Sequence, residues 1–135
     1  MLKKIVKLLY DVKDEAKIKL EKISDTLHLG IKDGTAYIIK IFYQKRNLTP
    51  SHFKELIEYL ERRLDEVLKE KQIEAKEKRV ILIMRSKLSK GTKEKIKELI
   101  NGKKVWVFEI PEKFVYEPEK DEVFDKFLNI LKELK

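Results

Sequence analysis

The residues best suited to chemistry lie around a predicted β-hairpin. Asp25 comes just before its first strand, and Lys40 and Phe42 lie on its second strand. The sequence Lys-Asp-Gly-Thr at residues 32–35 predicts a tight turn, because Asp-Gly favours the backbone geometry that joins two strands. Residues two apart on a strand share a face, so Lys40 and Phe42 should project together.

A second group of candidate residues is basic. The chain has a net charge of +8, and residues 79–104 hold nine Lys or Arg against two Glu, a net charge of +7. By contrast, residues 111–135 hold seven acids and five Lys, a net charge of −2. A basic excess in one region indicates a polyanion as partner. The alternative is a Lys-rich protein that is charged over its whole surface.

The predicted phosphate contacts lie in two segments that follow strands. They are Lys45 and Arg46 after the hairpin, and Arg85, Lys87, Lys90 and Lys93 before and within the start of a short helix. Backbone N–H groups at a helix start and nearby ammonium groups both bind phosphate. The alternative for the first segment is a solvated turn. For the second segment it is an ordinary capped loop, since Ser and Thr favour helix caps.

Composition indicates a globular protein. At 135 residues we expect a single domain over residues 1–135, with 42% hydrophobic and 41% charged residues. The absence of Cys excludes disulfides and thiolate metal sites. Many Lys, Glu and Ile with few Asn and Gln are typical of a thermophile. No apolar run is long enough to span a bilayer, and residues 1–22 are too charged for a signal peptide, so we expect a soluble, cytoplasmic protein.

Hydrophobic periodicity and turn residues predict alternating helices and strands. The predicted helices cover residues 2–20, about 49–75, 92–100 and 119–134, and the predicted strands cover 26–32, 35–43, 80–84 and 105–110. The strand–helix–strand unit at 80–110 implies a parallel pair with a right-handed crossover. The hairpin adds an antiparallel pair. We therefore predict an α/β fold with a mixed β-sheet flanked by helices.

This element order and four local segments resemble the PD-(D/E)xK nuclease superfamily, which has the restriction-endonuclease-like fold. The likeness is to its Mrr-like and archaeal Holliday-junction-resolvase branches. Ser24-Asp25 matches the position of the family's Pro-Asp, and Lys40-Ile41-Phe42 matches its Glu-x-Lys. Residues 45–52 resemble the basic turn into its next helix. Residues 79–95 resemble its next strand and the start of the helix that follows.

The resemblance implies a chemistry that this chain has partly lost. In such nucleases the hairpin Asp and the strand Glu bind Mg²⁺, which requires oxygen ligands, and the Lys two residues later orients or activates water. Here Lys40 stands in place of that Glu, and Phe42 stands in place of that Lys. A lone carboxylate with an adjacent ammonium forms an ion pair more readily than a metal site, so the resemblance implies that Asp25 and Lys40 contact each other. The resemblance therefore implies a catalytically inactive, nuclease-like module that binds DNA and uses no metal or other cofactor.

Two other functions are open. One is an active Mg²⁺-dependent DNA endonuclease with relocated catalytic residues, to which Glu15 or Glu21 would contribute a carboxylate. The other is a non-catalytic interaction subunit that binds a protein partner in a DNA repair or restriction complex.

The long second helix predicts association with a second copy of the chain. Its apolar residues Leu64, Val67 and Leu68 extend beyond what its own sheet should cover, so we expect a homodimer. The alternative is packing of these residues on the C-terminal helix of the same chain.

The aromatic residues and the two histidines also allow alternatives. The aromatic residues would either stack on bases or pack in the core: Tyr37, Tyr43, Trp106, Phe108, Phe114 and Tyr116. His28 is expected at the surface or in a cross-strand contact, and His52 in a capping or surface position.

Overall fold

The computed structural model describes residues 2–100, 102–111, 114–116 and 121–132. The helices in this part of the chain are α1 (Leu2–Ala16), α2 (Pro50–Glu70), α3 (Lys90–Glu94), α4 (Ile96–Ile100) and α5 (Glu122–Leu131). The strands are β1 (Lys19–Ser24), β2 (Leu27–Lys32), β3 (Thr35–Phe42), β4 (Glu77–Met84), β5 (Val105–Glu109) and β6 (Phe114–Tyr116).

The strands form one mixed sheet in which they lie side by side in chain order. β1, β2 and β3 form an antiparallel meander, β3, β4 and β5 are parallel, and β6 returns antiparallel to β5. The register of β3 and β4 runs from Thr35 opposite Glu77 to Phe42 opposite Met84. The predicted α/β class and the predicted mixed, helix-flanked sheet are confirmed.

Helices cover both faces of this sheet. One hydrophobic cluster joins the apolar stripe of α2 and the inward residues of α4 to one face. The other cluster joins α1 and α5 to the opposite face. The central strands are therefore buried on both sides, which explains the uninterrupted apolar sequence of β4 from Val80 to Met84. No helix in the described ranges is long and apolar enough to cross a membrane.

Aromatic rings form the centre of the second cluster. Phe124 of α5 stacks on Phe108 with ring centroids 5.3 Å apart and contacts Trp106 edge-to-face at 5.2 Å. Trp106, Phe108 and Tyr37 are at most 2% exposed, so they pack in the core and are unavailable for base stacking. Tyr43 and Tyr116 are half-buried. The side chain of Phe114, the last residue of the predicted stacking set, lies outside the described part.

Two local turn signals in the sequence are confirmed. Asp33 and Gly34 both have positive φ, 49° and 83°, as the hairpin turn between right-twisted strands requires. Thr49 caps α2, because its hydroxyl accepts a hydrogen bond from the His52 N–H at 3.4 Å, and Pro50 occupies the first helical position.

The first helix is shorter than predicted and is followed by a strand that we did not predict. α1 ends before Lys17, which adopts a left-handed φ of 57°, and β1 begins at Lys19. Leu20 fits both the helical spacing of α1 and the alternation of a strand, so periodicity alone assigned it wrongly. The exposed charges of Lys19, Glu21 and Lys22 suit β1 to its position at the sheet edge.

Three other boundaries differ from the prediction. α2 ends earlier, at Glu70, and Gln72 turns the chain with a left-handed φ of 56°. The helix predicted over 92–100 is divided at Lys95 into α3 and α4, and β6 follows β5. The last helix is confirmed as α5, while residues 119, 120, 133 and 134 of its predicted span lie outside the described part.

The apolar residues on which the homodimer prediction depends are buried within one chain. Leu64, Val67 and Leu68 are at most 4% exposed and share a cluster with residues of the sheet and of α4. They do not pack on α5 either, since α5 covers the opposite face. The homodimer remains a prediction. The apolar residues that suggested it are buried within one chain and cannot form the interface.

Replacing Gly34 by Ala should destabilise the hairpin. The atoms nearest to a Cβ built there belong to Lys76, at 3.5 Å and beyond, which is ordinary van der Waals contact, so the cost comes from holding a non-glycine residue at a φ of 83°. We expect the Gly34→Ala variant to lose about 1–2 kcal/mol in the free energy of unfolding, measured by urea denaturation. The matched control is Gly91→Ala in α3, where a Cβ has room 4.0 Å from Pro50, and its stability should be unchanged or up to about 1 kcal/mol higher. Equal losses in both variants would contradict the conformational explanation.

Candidate functional site

The carboxyl ends of β3, β4 and β5 lie at one edge of the sheet, the edge at which α/β proteins usually bind ligands. Residues 43–49 follow β3 there, and residues 85–89 follow β4. A parallel β-bridge joins Leu48 to Leu88, and both the N–H and the carbonyl of Leu48 are bonded to the second loop, at 3.3 and 3.0 Å. The two basic segments predicted from the sequence are therefore adjacent. We call them together the basic edge.

Two hydrogen bonds of Thr92 connect the loop after β3 to the loop after β4. The Thr92 hydroxyl donates to the Leu48 carbonyl at 2.8 Å, and its N–H donates to the Ser89 hydroxyl, which caps α3, at 3.2 Å. Thr92 is fully buried. The starts of α2 and α3 are consequently side by side, and a Cβ built on Gly91 would lie 4.0 Å from Pro50.

A buried carboxylate, Glu109, ties β5 to the same loops. Its Oε2 accepts the Leu88 N–H at 2.8 Å, and its Oε1 lies 3.1 Å from the ammonium of Lys93. The side chain of Glu109 is completely buried. Sequence reasoning missed this residue, although an acid at the end of the apolar strand Val-Trp-Val-Phe-Glu was a signal. Lys93, a predicted phosphate contact, is thus engaged within the protein.

The other predicted contacts present positive charge at the basic edge. Lys45, Arg46, Lys87 and Lys90 are exposed. Arg85 is half-buried, and its guanidinium lies 4.4 Å from the ring centroid of Tyr43. Neither 43–49 nor 85–93 contains an acid. Lys93 pairs with Glu109, and the two segments, which contain six cations and no acid, still carry a positive charge.

Asp25 does not form the expected ion pair with Lys40. It lies in the turn between β1 and β2, where Lys22, three residues earlier, places its ammonium 2.9 Å from the Asp25 carboxylate. This contact lowers the pKa of Asp25. Asp25 pairs with Lys22 because the tight turn itself brings residues i and i+3 together. This contact does not depend on how distant parts of the chain are arranged. The predicted pairing of Asp25 with Lys40 is therefore wrong.

Lys40 instead bonds to Thr26, at the same turn. Its ammonium donates to the Thr26 hydroxyl at 2.8 Å, and burial lowers the pKa of Lys40. Lys40 and Phe42 lie two apart on β3 as predicted, and Phe42 packs in the cluster with α2. Lys22 and Asp25 border a groove beside α1, on the other face. The two positions aligned with the nuclease motif therefore point to opposite sides of the sheet.

The acids proposed for a relocated catalytic site are also apart from Asp25. Glu21 forms an ion pair with Lys71, just beyond the end of α2. Glu15 is exposed in the last turn of α1. In the part of the chain that the structure describes, no three His, Cys, Asp or Glu side chains are close enough together to hold a metal ion.

His28 is buried, which excludes the surface alternative and leaves the cross-strand one, since His28 lies opposite Lys22 of β1 and Ile39 of β3. It is 1% exposed, and the ring of Tyr10 contacts it edge-to-face with centroids 6.2 Å apart. Neither ring nitrogen has a hydrogen-bond partner among the described residues. Burial first, and then the charge of Lys22, lower the pKa of His28. Only the tertiary position of α1 reveals this environment, so the sequence carried no signal for it.

Comparison of the chain with models of protein families, with curated proteins and with solved structures found no match. The fold and the geometry of the site define an α/β protein whose mixed sheet presents two acid-free, basic loops at the carboxyl edge of its parallel strands.

Removing the Glu109 carboxylate should loosen the basic edge. The Glu109→Ala variant leaves the Leu88 N–H without its acceptor and the Lys93 ammonium without its partner. We expect a loss of about 2–4 kcal/mol in the free energy of unfolding, less than for a fully buried pair because Lys93 is 27% exposed. Glu94→Ala, at an exposed position of α3, is the matched control and should change stability by less than about 0.5 kcal/mol. Similar losses in the two variants would show that Glu109 has no special role.

His28 should make the protein less stable in mild acid. Because its pKa is lowered in the folded state, the unfolded chain binds more protons as the pH falls below about 6.5, and folding is opposed there. We expect His28→Leu to gain stability relative to the unchanged protein between about pH 7 and about pH 5.5, measured by urea denaturation. His52→Gln, in the exposed first turn of α2, is the control. A constant difference between the unchanged protein and His28→Leu across this range would contradict the prediction.

Proposed function

We propose that the protein binds DNA through the basic edge, as a catalytically inactive module of restriction-endonuclease-like fold. The observation that carries the proposal is the β-bridge between Leu48 and Leu88. It makes one surface out of two segments, residues 43–49 and 85–93, that together have six cations and no acid. A surface of this kind attracts a phosphate backbone and releases the counterions condensed on it.

The geometry of the basic edge suits phosphate groups. Arg85 is held against Tyr43, so its guanidinium loses little freedom when it binds an anion. The start of α2, a helix of 21 residues, adds the positive end of its dipole beside the first loop. Lys45 and Lys90 extend into solvent from the two loops. Contacts of this type position a nucleic acid without reading its sequence, so recognition would depend on the shape of the DNA.

The positions aligned with the nuclease motif, Asp25 and Lys40, face opposite sides of the sheet, which contradicts the alignment of the hairpin. The proposal of this fold is therefore supported by the architecture alone. A mixed sheet with helices on both faces is the architecture that the resemblance implies. At the position of the family's metal-binding Glu, Lys40 presents an ammonium bonded to Thr26. Asp25 is paired with Lys22. We therefore propose binding without cleavage, with DNA as partner and with no cofactor required.

Charge reversal in both loops should weaken DNA binding. We expect Lys45→Glu combined with Lys90→Glu to lower the affinity for duplex or branched DNA roughly tenfold or more, measured by fluorescence anisotropy over a series of salt concentrations. The slope of log affinity against log salt should become shallower by about 1.8, since each lost phosphate contact accounts for about 0.9.

The matched control reverses two charges at the opposite edge of the sheet. Lys69→Glu combined with Lys76→Glu changes the net charge equally, and both lysines are exposed near the end of α2. This variant should keep most of the affinity and the same salt slope. Equal losses in the two double variants would show that only total charge matters. Binding that does not respond to salt, or no binding to duplex, branched or single-stranded DNA, would overturn the proposal.

A further inference from the structure

A groove of about 560 Å³ lies between the first half of α1 and the β1–β2 turn. Its volume is in the range of small-molecule sites. Its walls are mostly apolar and include Leu2, Val6 and the exposed ring of Tyr10. This groove is on the α1 face of the sheet and shares no lining residue with the basic edge.

The floor of the groove contains an imidazole without hydrogen bonds. His28 is 1% exposed and lines the groove, and both of its ring nitrogens lack a partner among the described residues. A neutral imidazole offers one donor and one acceptor, and buried polar groups are normally paired. The ring of Tyr10 contacts the imidazole edge-to-face with centroids 6.2 Å apart, and because His28 is 1% exposed, a ligand reaches the imidazole only if groove side chains move.

The rim of the groove is positive. Lys3 and Lys7 lie one helical turn apart on α1, and neither has an acidic partner in the part of the chain that the structure describes. Lys22 also lines the groove, but its charge is balanced by Asp25 at 2.9 Å. A ligand that fits this groove therefore has an anionic group at one end, for the two ammonium groups at the mouth. At its other end it has a hydrogen-bonding group, for the imidazole at the floor.

We propose that this groove binds a phosphorylated nucleotide. The phosphate contacts Lys3 and Lys7, the base packs against Tyr10 and the apolar walls, and its polar edge bonds to His28. A nucleobase edge carries both donors and acceptors, so it can pair with the imidazole nitrogen that faces the groove, whether that nitrogen is the donor or the acceptor. The nucleotide is either a free mononucleotide or the phosphorylated end of a DNA strand. Binding of duplex DNA at the basic edge is not required for this inference.

The test follows the His28 imidazole resonance by NMR during titration with four probes: adenosine monophosphate, adenosine, inorganic phosphate, and a single-stranded oligonucleotide with a terminal phosphate. We expect a saturable shift of the His28 resonance with adenosine monophosphate or with the oligonucleotide, and none with adenosine or inorganic phosphate at the same concentrations. Similar affinities for mononucleotide and oligonucleotide assign the site to free nucleotides. An oligonucleotide affinity higher by about tenfold or more assigns it to strand ends.

Substitutions of the exposed lysines at the rim test the phosphate contacts without changing the core. Lys3→Gln combined with Lys7→Gln should weaken nucleotide binding about tenfold or more. Lys4→Gln combined with Lys19→Gln removes the same charge from exposed positions outside the groove and should leave the affinity unchanged. The proposal is overturned by an unmoved His28 resonance, by inorganic phosphate binding as tightly as the nucleotide, or by equal losses in the two double variants. Loss of duplex binding in the Lys45→Glu, Lys90→Glu variant would not bear on it.

Discussion

The parallel pairing of β3 with β4 is the constraint on which the site depends. Eight consecutive residue pairs, from Thr35 opposite Glu77 to Phe42 opposite Met84, align the two strands so that they end at the same level. Since both strands are buried between helical layers, their loops can leave the core only at their ends. Each loop then leads directly into a helix. A shift of this register by one residue would exchange the side chains that face the two helical layers and disrupt the packing of both clusters, so the position of the basic edge is determined by core packing.

The cations of the basic edge repel one another. Buried groups beneath the two loops offset this repulsion. Glu109 supplies a buried negative charge between Lys93 and the backbone of Leu88. Thr92 and the backbone of Leu48 connect the loops through neutral hydrogen bonds that salt does not screen. The groups that stabilise the loops are therefore different from those that the proposed DNA binding would use. The groups that hold the loops are buried, whereas most of the groups available to a polyanion are in solvent, where a change of charge costs little structurally.

Features determined by neighbouring residues could be predicted from the sequence, and features determined by tertiary contacts could not. The Asp33-Gly34 turn and the Thr49-Pro50 helix start follow from local backbone preferences, and both are present. β1 was missed because Leu20 fits two periodicities at once. The partners of Asp25 and Lys40 were assigned wrongly because proximity along adjacent strands does not determine which face a side chain occupies. Glu109 and His28 are recognisable only once β5 and α1 are packed, since each is defined by what surrounds it.

The charged outer strand has a consequence for self-assembly. β1 exposes Lys19, Glu21 and Lys22, and two of these are tied into ion pairs with Lys71 and Asp25. A foreign strand that paired with β1 would have to break or bury those charges, so this side of the molecule is a poor template for fibril growth. The core strands of this protein are rich in β-branched residues, which favour amyloid-like stacking. The exposed charges of β1 oppose such stacking along this edge without changing the packing of the core.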